Sequence, residues 1–112
     1  MISYNNKKFR SISNSESGEI SPETIFKYFQ KEGVLWANYS GGSILLGNIV
    51  GIVDGRGEIK MRYQHISNDG SFKTGKCISS PEILSNKKIR LHEKWEWTSG
   101  KTGIGNSIIE EI

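Results

Sequence analysis

The sequence predicts an all-β protein, an eight-stranded antiparallel up-and-down barrel formed as a single domain over residues 1–112. Short runs of alternating apolar and polar residues recur along the chain, and turn residues separate them. We find no helical pattern placed between two strands, as a parallel βαβ unit would require. Eight strands are also the number that closes into a barrel wide enough for side chains or one small ligand.

The segment 88–97 provides the clearest strand. Side chains alternate across a strand, so residues two apart share a face. One face carries three large apolar residues and one acid, Leu91, Glu93, Trp95 and Trp97. The opposite face is wholly polar, with Arg90, His92, Lys94 and Glu96. The first face is therefore expected to point into the barrel and the second into water.

The remaining strands follow from the same alternation and from the turns between them. They are predicted at 7–12, 23–31, 34–40, 43–54, 58–67, 71–78 and 106–112. Residues 13–22 predict a loop, being rich in Ser, Gly, Asn and Glu. Residues 23–31 also admit a helix capped by Ser21, but their aromatic content favours a strand. Pro81 is expected to break or kink the strand that precedes 88–97.

Composition excludes several classes of protein. No apolar run approaches the ~20 residues that a transmembrane helix needs. The N-terminus lacks a signal-peptide pattern and Cys77 is the single cysteine, which together predict a cytoplasmic protein. The net charge of +3 is mild, so we do not expect nucleic-acid binding from charge alone. Self-association through a strand edge is left open.

Five segments occur in order along the chain: Asn38-Tyr39-Ser40-Gly41-Gly42, Met61-Arg62-Tyr63, Gly75-Lys76-Cys77-Ile78-Ser79, Leu91-His92-Glu93-Lys94-Trp95-Glu96-Trp97 and Gly105-Asn106-Ser107-Ile108-Ile109-Glu110-Glu111. Together they resemble a family of small uncharacterised bacterial proteins that are often labelled N-acetylglutamate synthase. The resemblance spans nearly the whole chain. It implies an avidin-like or lipocalin-like barrel, of the calycin kind, and supports the strand assignment at 23–31.

The residues do not support an acetyltransferase. Acetyl transfer from coenzyme A in the usual synthase fold needs a mixed α/β domain, in which a glycine-containing turn opens a helix under the pyrophosphate. The glycines at 102–107 lead into a strand instead. We therefore favour a non-catalytic barrel without a cofactor, which binds a small, partly apolar molecule or serves as a partner-binding module. The residues that contact biotin in avidin cannot be matched here one by one, so biotin is not inferred.

Glu93 is the centre of the candidate site. A buried carboxylate without a partner costs several kcal/mol, so it should find a cation or hydrogen-bond donors, or keep its proton. Arg62 is the predicted partner. The candidate ligand-binding residues, which would line a cavity for a small and partly apolar molecule, are Arg62, Glu93, Trp95, Trp97, Trp36 and Tyr39. The alternative is a structural Arg62–Glu93 ion pair that fills the barrel.

Three alternative functions make different demands on the sequence. A hydrolase with paired carboxylates would need a second inward acid from the last strand, and Glu110 and Glu111 cannot both point inward. A nucleic-acid-binding protein would be a smaller open barrel with exposed aromatic residues beside lysines. Its candidates are Trp36, Tyr39 and Phe72 beside Lys60, Lys73 and Lys76. A small enzyme would use Glu93 as acid or base. No metal site is expected, because His65, His92 and Cys77 lack ligand spacing.

Overall fold

Eight antiparallel strands close into a barrel in the computed structural model, which describes residues 2–112. Each strand pairs with the next in the chain, and β8 pairs with β1 to complete the cylinder. The strands are β1 Lys7–Asn14, β2 Ile25–Lys31, β3 Val34–Gly41, β4 Ile44–Val53, β5 Ile59–Ser67, β6 Phe72–Ile83, β7 Ile89–Ser99 and β8 Ile104–Glu111. The predicted fold class is confirmed, including the strand assignment for β2.

The prediction that Pro81 breaks its strand is wrong. β6 continues to Ile83, and Pro81 lies opposite Leu91 of β7. Pairing between β5 and β6 ends at Ser79, so Pro81 lies where β6 has only one neighbouring strand. Proline is tolerated at such a position, because an unpaired strand edge does not need its missing N–H.

A bulge in β4 decides which of its residues face outward. The pairing with β5 shifts between Ile44 and Leu46, so that Ile44 is buried while Leu46 is 57% exposed. A bulge of one residue moves the following side chains to the opposite face. Val50 and Ile52 consequently lie on the outer wall, where they are 63% and 68% exposed.

Glycines on the inner wall make room for aromatic rings. Gly47 lies opposite Tyr39, Gly75 opposite Tyr63, and Gly105 opposite Trp95. A Cβ atom built on any of these glycines would overlap the facing ring. Since strands lie less than 5 Å apart, a bulky ring that leans over the neighbouring strand needs a residue without a side chain there. The glycines thus allow large rings to lie flat against the wall of a narrow barrel.

The barrel interior divides into two halves. We call the end where β1, β3, β5 and β7 finish the upper end. The lower half is filled by fully buried side chains, Tyr4, Phe9, Tyr28, Leu35, Ile59, Leu91 and Ile109. Tyr4 closes the bottom, and its hydroxyl donates a 2.5 Å hydrogen bond to the carbonyl of Gly57. Polar and aromatic side chains are therefore concentrated in the middle and upper half, where the candidate site lies.

Candidate functional site

Glu93 lies inside the barrel, as predicted, and only 6% of it is exposed. The registers of β7 with β6 and β8 place Ser79 and Ser107 directly beside it. The Ser79 hydroxyl donates to Oε2 at 2.5 Å, and the Ser107 hydroxyl donates to Oε1 at 3.1 Å. Burial raises the pKa of Glu93, and the two serine hydrogen bonds only partly oppose this effect. The carboxyl is thus satisfied by neutral donors rather than by a cation.

The predicted Arg62–Glu93 pair is wrong. Arg62 is exposed on the outer wall, while its neighbours Met61 and His65 face inward. Arg62 and Gln64 share the polar, exposed face of β5, so the guanidinium is open to solvent. Burying the charged guanidinium inside this narrow barrel would cost desolvation free energy, whereas the two serines bond Glu93 without burying a second charge. Arg62 therefore cannot line an interior cavity.

The other candidate residues divide between the two walls. Trp36 is 43% exposed and stacks on Phe29 on the outside, with ring centroids 6.0 Å apart, so its placement as a cavity wall is wrong. Tyr39, Trp95 and Trp97 are buried inside. The two indoles lie 5.6 Å apart between ring centroids. The structure thus brings Tyr39, Glu93, Trp95 and Trp97 together and leaves Arg62 and Trp36 outside.

These inward residues border a cavity in the upper half of the barrel. It has a volume of about 30 Å³, which is room for about two water molecules. Its lining, which includes Glu93 below and aromatic rings around it, consists of Asn14, Gly18, Glu19, Ile20, Phe26, Tyr39, Ile49, Met61, Tyr63, His65, Cys77, Glu93, Trp95 and Trp97. The cavity is small because a loop covers its top.

That loop, residues 15–24 between β1 and β2, we call the mouth loop. The indole N–H of Trp97 and the Lys101 ammonium both donate to the carbonyl of Ser17, at 3.2 and 3.0 Å. The Ser43 hydroxyl donates to the carbonyl of Glu19 at 3.1 Å. Ile20 packs against the buried core. The mouth loop therefore fills and closes the upper end of the barrel.

The carboxylate of Glu19 is held by side chains that all belong to the barrel end. Oε1 accepts from His65 Nε2 at 3.0 Å and from the Ser67 hydroxyl at 2.7 Å. Oε2 accepts from the Lys73 ammonium, and Lys101 Nζ lies 3.5 Å away. We call these four side chains, His65, Ser67, Lys73 and Lys101, the carboxylate nest.

The nest determines the charge states in this region. Burial alone would raise the pKa of Glu19, but hydrogen bonds from Lys73, Ser67 and His65 outweigh it and lower that pKa to about 2. Burial lowers the pKa of His65, and Glu19 opposes this effect. A neutral His65 with its proton on Nε2 donates to Glu19 and accepts from the Tyr39 hydroxyl, 2.9 Å from Nδ1. The nest is therefore an anion site in contact with the aromatic cavity.

A family comparison agrees with this architecture. The model of the family described as "Avidin-like protein" matches residues 2–112, almost the entire chain. The chain belongs to the avidin-like family. A comparison with curated proteins and another with solved structures each found no match. The implied avidin-like barrel is thereby confirmed for this protein.

Three further observations on this avidin-like protein concern the last strand, metal-ligand clusters and helix length. Ser107 faces inward, whereas Glu110 pairs with Arg90 at 2.7 Å on the outer wall. Within the part of the chain that the structure describes, no three His, Cys, Asp or Glu side chains are grouped to hold a metal ion. That same part contains no helix long and apolar enough to span a membrane.

The nucleic-acid alternative required a different barrel from the one this avidin-like protein has. The cylinder is closed by eight strands rather than open, and Tyr39 is buried. Lys73 is bound to Glu19 instead of facing solvent for a phosphate. Trp36 and Phe72 are exposed, and the registers place Trp36 on the same outer wall as Lys60 and Lys76. Because Tyr39 and Lys73 lie inside, the structure divides the required aromatic and basic residues between the two walls.

Sequence reasoning missed the carboxylate nest. The alternation of Met61, Tyr63, His65 and Ser67 along β5 indicated an inward face that carries polar groups at its upper end. Lys73, Lys101 and Glu19 had no comparable signal, since they come from a strand start and two loops. Only the closed barrel brings these segments together.

Proposed function

We propose that this avidin-like protein is a non-catalytic barrel that binds a small, partly apolar molecule in its upper half. Tyr39, Trp95 and Trp97 form the walls of the binding site and Glu93 forms its base. The ligand takes the space that the mouth loop now fills. The observation that carries this proposal is the aromatic cavity itself, which ends on a polar group at both its base and its top.

The position of Glu93 supports a binding role at the base. Its raised pKa favours the neutral acid, and both serines can donate to its oxygens. The carboxyl proton then remains available for an acceptor on the ligand. A neutral carboxyl in an apolar site provides such a directional contact without the cost of a buried charge.

The size of the cavity defines how binding must proceed. A cavity of about 30 Å³ cannot hold a drug-sized molecule while the mouth loop is in place. The loop is a connecting segment rather than a strand, and its hydrogen bonds to the barrel come mainly from side chains. Displacing it would leave the barrel strands paired. Ligand entry therefore requires the loop to move, while the cylinder stays closed.

The test uses N-phenyl-1-naphthylamine, an uncharged aromatic probe whose fluorescence rises in apolar surroundings. In a Trp36→Phe background the remaining tryptophans lie inside, so energy transfer to bound probe reports on the interior. We expect saturable binding that Trp97→Phe weakens and that Val50→Lys, on the outer wall, leaves unchanged. Absence of binding, or binding lost only in Val50→Lys, would contradict the proposal.

A second proposal concerns the outer wall, and its proposed occupant is another copy of this chain. Val34 lies opposite Ile52, and Trp36 lies opposite Val50, which forms one exposed apolar patch across β3 and β4. A two-fold dimer places the same patch of each copy face to face, so an exposed apolar patch can be covered by its own counterpart. Sedimentation equilibrium should show association that Val50→Lys weakens; a monomer at every concentration would exclude it.

A further inference from the structure

Glu19 belongs to the mouth loop, but the anion site that holds it is built by other parts of the chain. None of the four side chains of the nest belongs to the mouth loop: His65 and Ser67 lie on β5, Lys73 on β6, and Lys101 in the turn after β7. The site is therefore built without the loop and would persist if the loop moved away. Such an arrangement differs from a carboxylate that is bound by its own turn.

The next residue of the loop is apolar and points toward the aromatic cavity. Ile20 packs against the buried core and lines the cavity beside Tyr39, Trp95 and Trp97. Glu19 and Ile20 together thus present an anion to the nest and a branched apolar group to the aromatic walls. A free molecule with both groups in this relation would make the same two kinds of contact.

Building on the proposed ligand-binding function, we propose that Glu19 and Ile20 stand in for the ligand, and that the ligand is a small apolar carboxylate. Its carboxylate replaces that of Glu19 between His65, Ser67 and Lys73. Its apolar body replaces Ile20 against the aromatic walls. The mouth loop is then an internal competitor that leaves when the ligand binds.

Electrostatics favour an exchange of anions over simple opening. The side chains of Lys73 and His65 are only 12% and 1% exposed, and Lys101 approaches from the rim. Removing Glu19 without replacement would leave two ammonium groups close together and partly desolvated, which costs free energy. An incoming carboxylate restores the charge balance, whereas a neutral molecule of the same shape does not. The nest thus makes a carboxylate bind more tightly than a neutral molecule of the same shape, which displaces Glu19 only at a cost in free energy.

Two other contacts around the cavity indicate how the ligand is oriented. Lys101 Nζ lies 5.6 Å from the ring centroid of Trp97, a cation–π distance, so the same lysine connects the nest to an aromatic wall. Glu93 lies at the opposite end of the cavity, lined by the same rings. The ligand therefore binds with its carboxylate at the rim and its apolar body against the rings, and an acceptor at its far end would meet Glu93.

The first experiment removes the competing carboxylate. The probe is 4-methylpentanoate, and the uncharged control is 4-methylpentanamide. In Glu19→Ala, thermal unfolding should shift upward with the carboxylate beyond its shift in sodium chloride of equal ionic strength. The amide should give a much smaller shift. Glu19→Ala combined with Lys73→Gln should lose the carboxylate's advantage, and Glu16→Ala, on the exposed part of the loop, should behave as wild type.

The second experiment measures how the added carboxylate competes with the carboxylate of Glu19 when the mouth loop is intact. In the Trp36→Phe background, tryptophan emission should change on addition of 4-methylpentanoate. The apparent affinity should be at least about 10-fold weaker than in Trp36→Phe/Glu19→Ala, because the tethered carboxylate of Glu19 must be displaced. No carboxylate effect in Glu19→Ala, or an effect in Glu19→Ala and none in wild type up to the solubility limit, would overturn the inference.

The outcomes also separate this inference from the proposed function. Binding of N-phenyl-1-naphthylamine inside the barrel without any preference for carboxylate over amide would retain the proposed function and reject the carboxylate ligand. If neither probe bound to wild type or to Glu19→Ala, both proposals would fall. A shift retained in Glu19→Ala/Lys73→Gln would place the anion elsewhere and would equally reject the inference.

Discussion

Ser79 donates a 2.5 Å hydrogen bond to Oε2 of Glu93 from the position directly across the β6–β7 pair. Ser107 makes the matching contact from β8. Strand register alone therefore provides an internal acid with two neutral donors. The barrel can hold this acid without a buried cation, and the consequences appear in how stability depends on pH.

Glu93 should make the protein less stable as the pH rises. Its pKa is raised by burial, so the folded state binds this proton more tightly than the unfolded state does. Stability is then lost as the pH rises from the ordinary value of 4.5 through the folded-state pKa, and it levels off above that. Glu93→Gln should remove this loss, because the amide is uncharged and can still bond both serines. Urea unfolding between pH 4 and pH 8 measures the slope.

The control for that prediction is Glu96→Gln, on the same strand but on the outer wall and half exposed. It should keep the wild-type slope. An equal slope in Glu93→Gln and wild type would show that Glu93 is already ionised in the fold, with water or another group reaching it. Failure of Glu93→Gln to fold would instead show that the carboxyl cannot be replaced by an amide between Ser79 and Ser107.

Glu19 should produce the opposite pH dependence. Its pKa is lowered to about 2, so the free energy from its hydrogen bonds is present above the ordinary value of 4.5. That contribution is lost as the pH falls from 4.5 toward 2. Glu19→Gln should be less stable than wild type at pH 7 by ~2 kcal/mol, which is typical for hydrogen bonds to a charged group.

The measurement is again urea unfolding, now between pH 2 and pH 7, with Glu16→Gln as the matched change in the same loop. Glu16 is exposed, so its replacement should leave both the stability and its acid dependence close to wild type. A Glu19→Gln variant that loses as much stability on acidification as wild type does would show that other carboxylates cause the acid loss.

A methyl group at Gly47 should destabilise the barrel. A Cβ at this position would overlap the ring of Tyr39, which is buried and cannot rotate into solvent. Gly47→Ala should cost about 1–3 kcal/mol in the free energy of unfolding, as overpacking does in well-packed cores. Gly55→Ala is the matched control, because nothing lies within 4 Å of a Cβ there. Equal stabilities would mean that the Tyr39 ring moves without cost.

The alternation on β7 was sufficient to predict its buried face from the sequence. A strand has a side-chain period of two, so Leu91, Trp95 and Trp97 required Glu93 to face inward with them. The same alternation on β5 groups Met61 with Tyr63 and leaves Arg62 outside. The error over Arg62 arose from seeking a charged partner for Glu93. The serines that fulfil this role are placed by register, which depends on turn lengths and bulges.

Trp36 and Glu19 show why the rest of the site was harder to predict from the sequence. Val34, Trp36, Val50 and Ile52 are apolar yet lie outside, so hydrophobicity alone gave the wrong wall for Trp36. Glu19 lies in a loop without any period, and a loop's path depends on the finished barrel rather than on local pattern. The inner aromatic residues could thus be predicted, whereas the polar closure of the mouth could not.

Tryptophan emission should distinguish the two walls directly. Trp95 and Trp97 are 7% and 6% exposed, whereas Trp36 is 43% exposed. Trp36→Phe should therefore leave a blue-shifted emission that acrylamide quenches weakly, because both remaining indoles are shielded by the barrel and the mouth loop. Trp97→Phe, the matched change on the inner wall, should keep the red-shifted, readily quenched component from Trp36.

In Trp36→Phe/Glu19→Ala, freeing the mouth loop should increase quenching of the inner pair, Trp95 and Trp97. If quenching of this double variant equalled that of Trp36→Phe, the loop would remain seated without its carboxylate, and Ile20 with the Ser17 contacts would be what holds it.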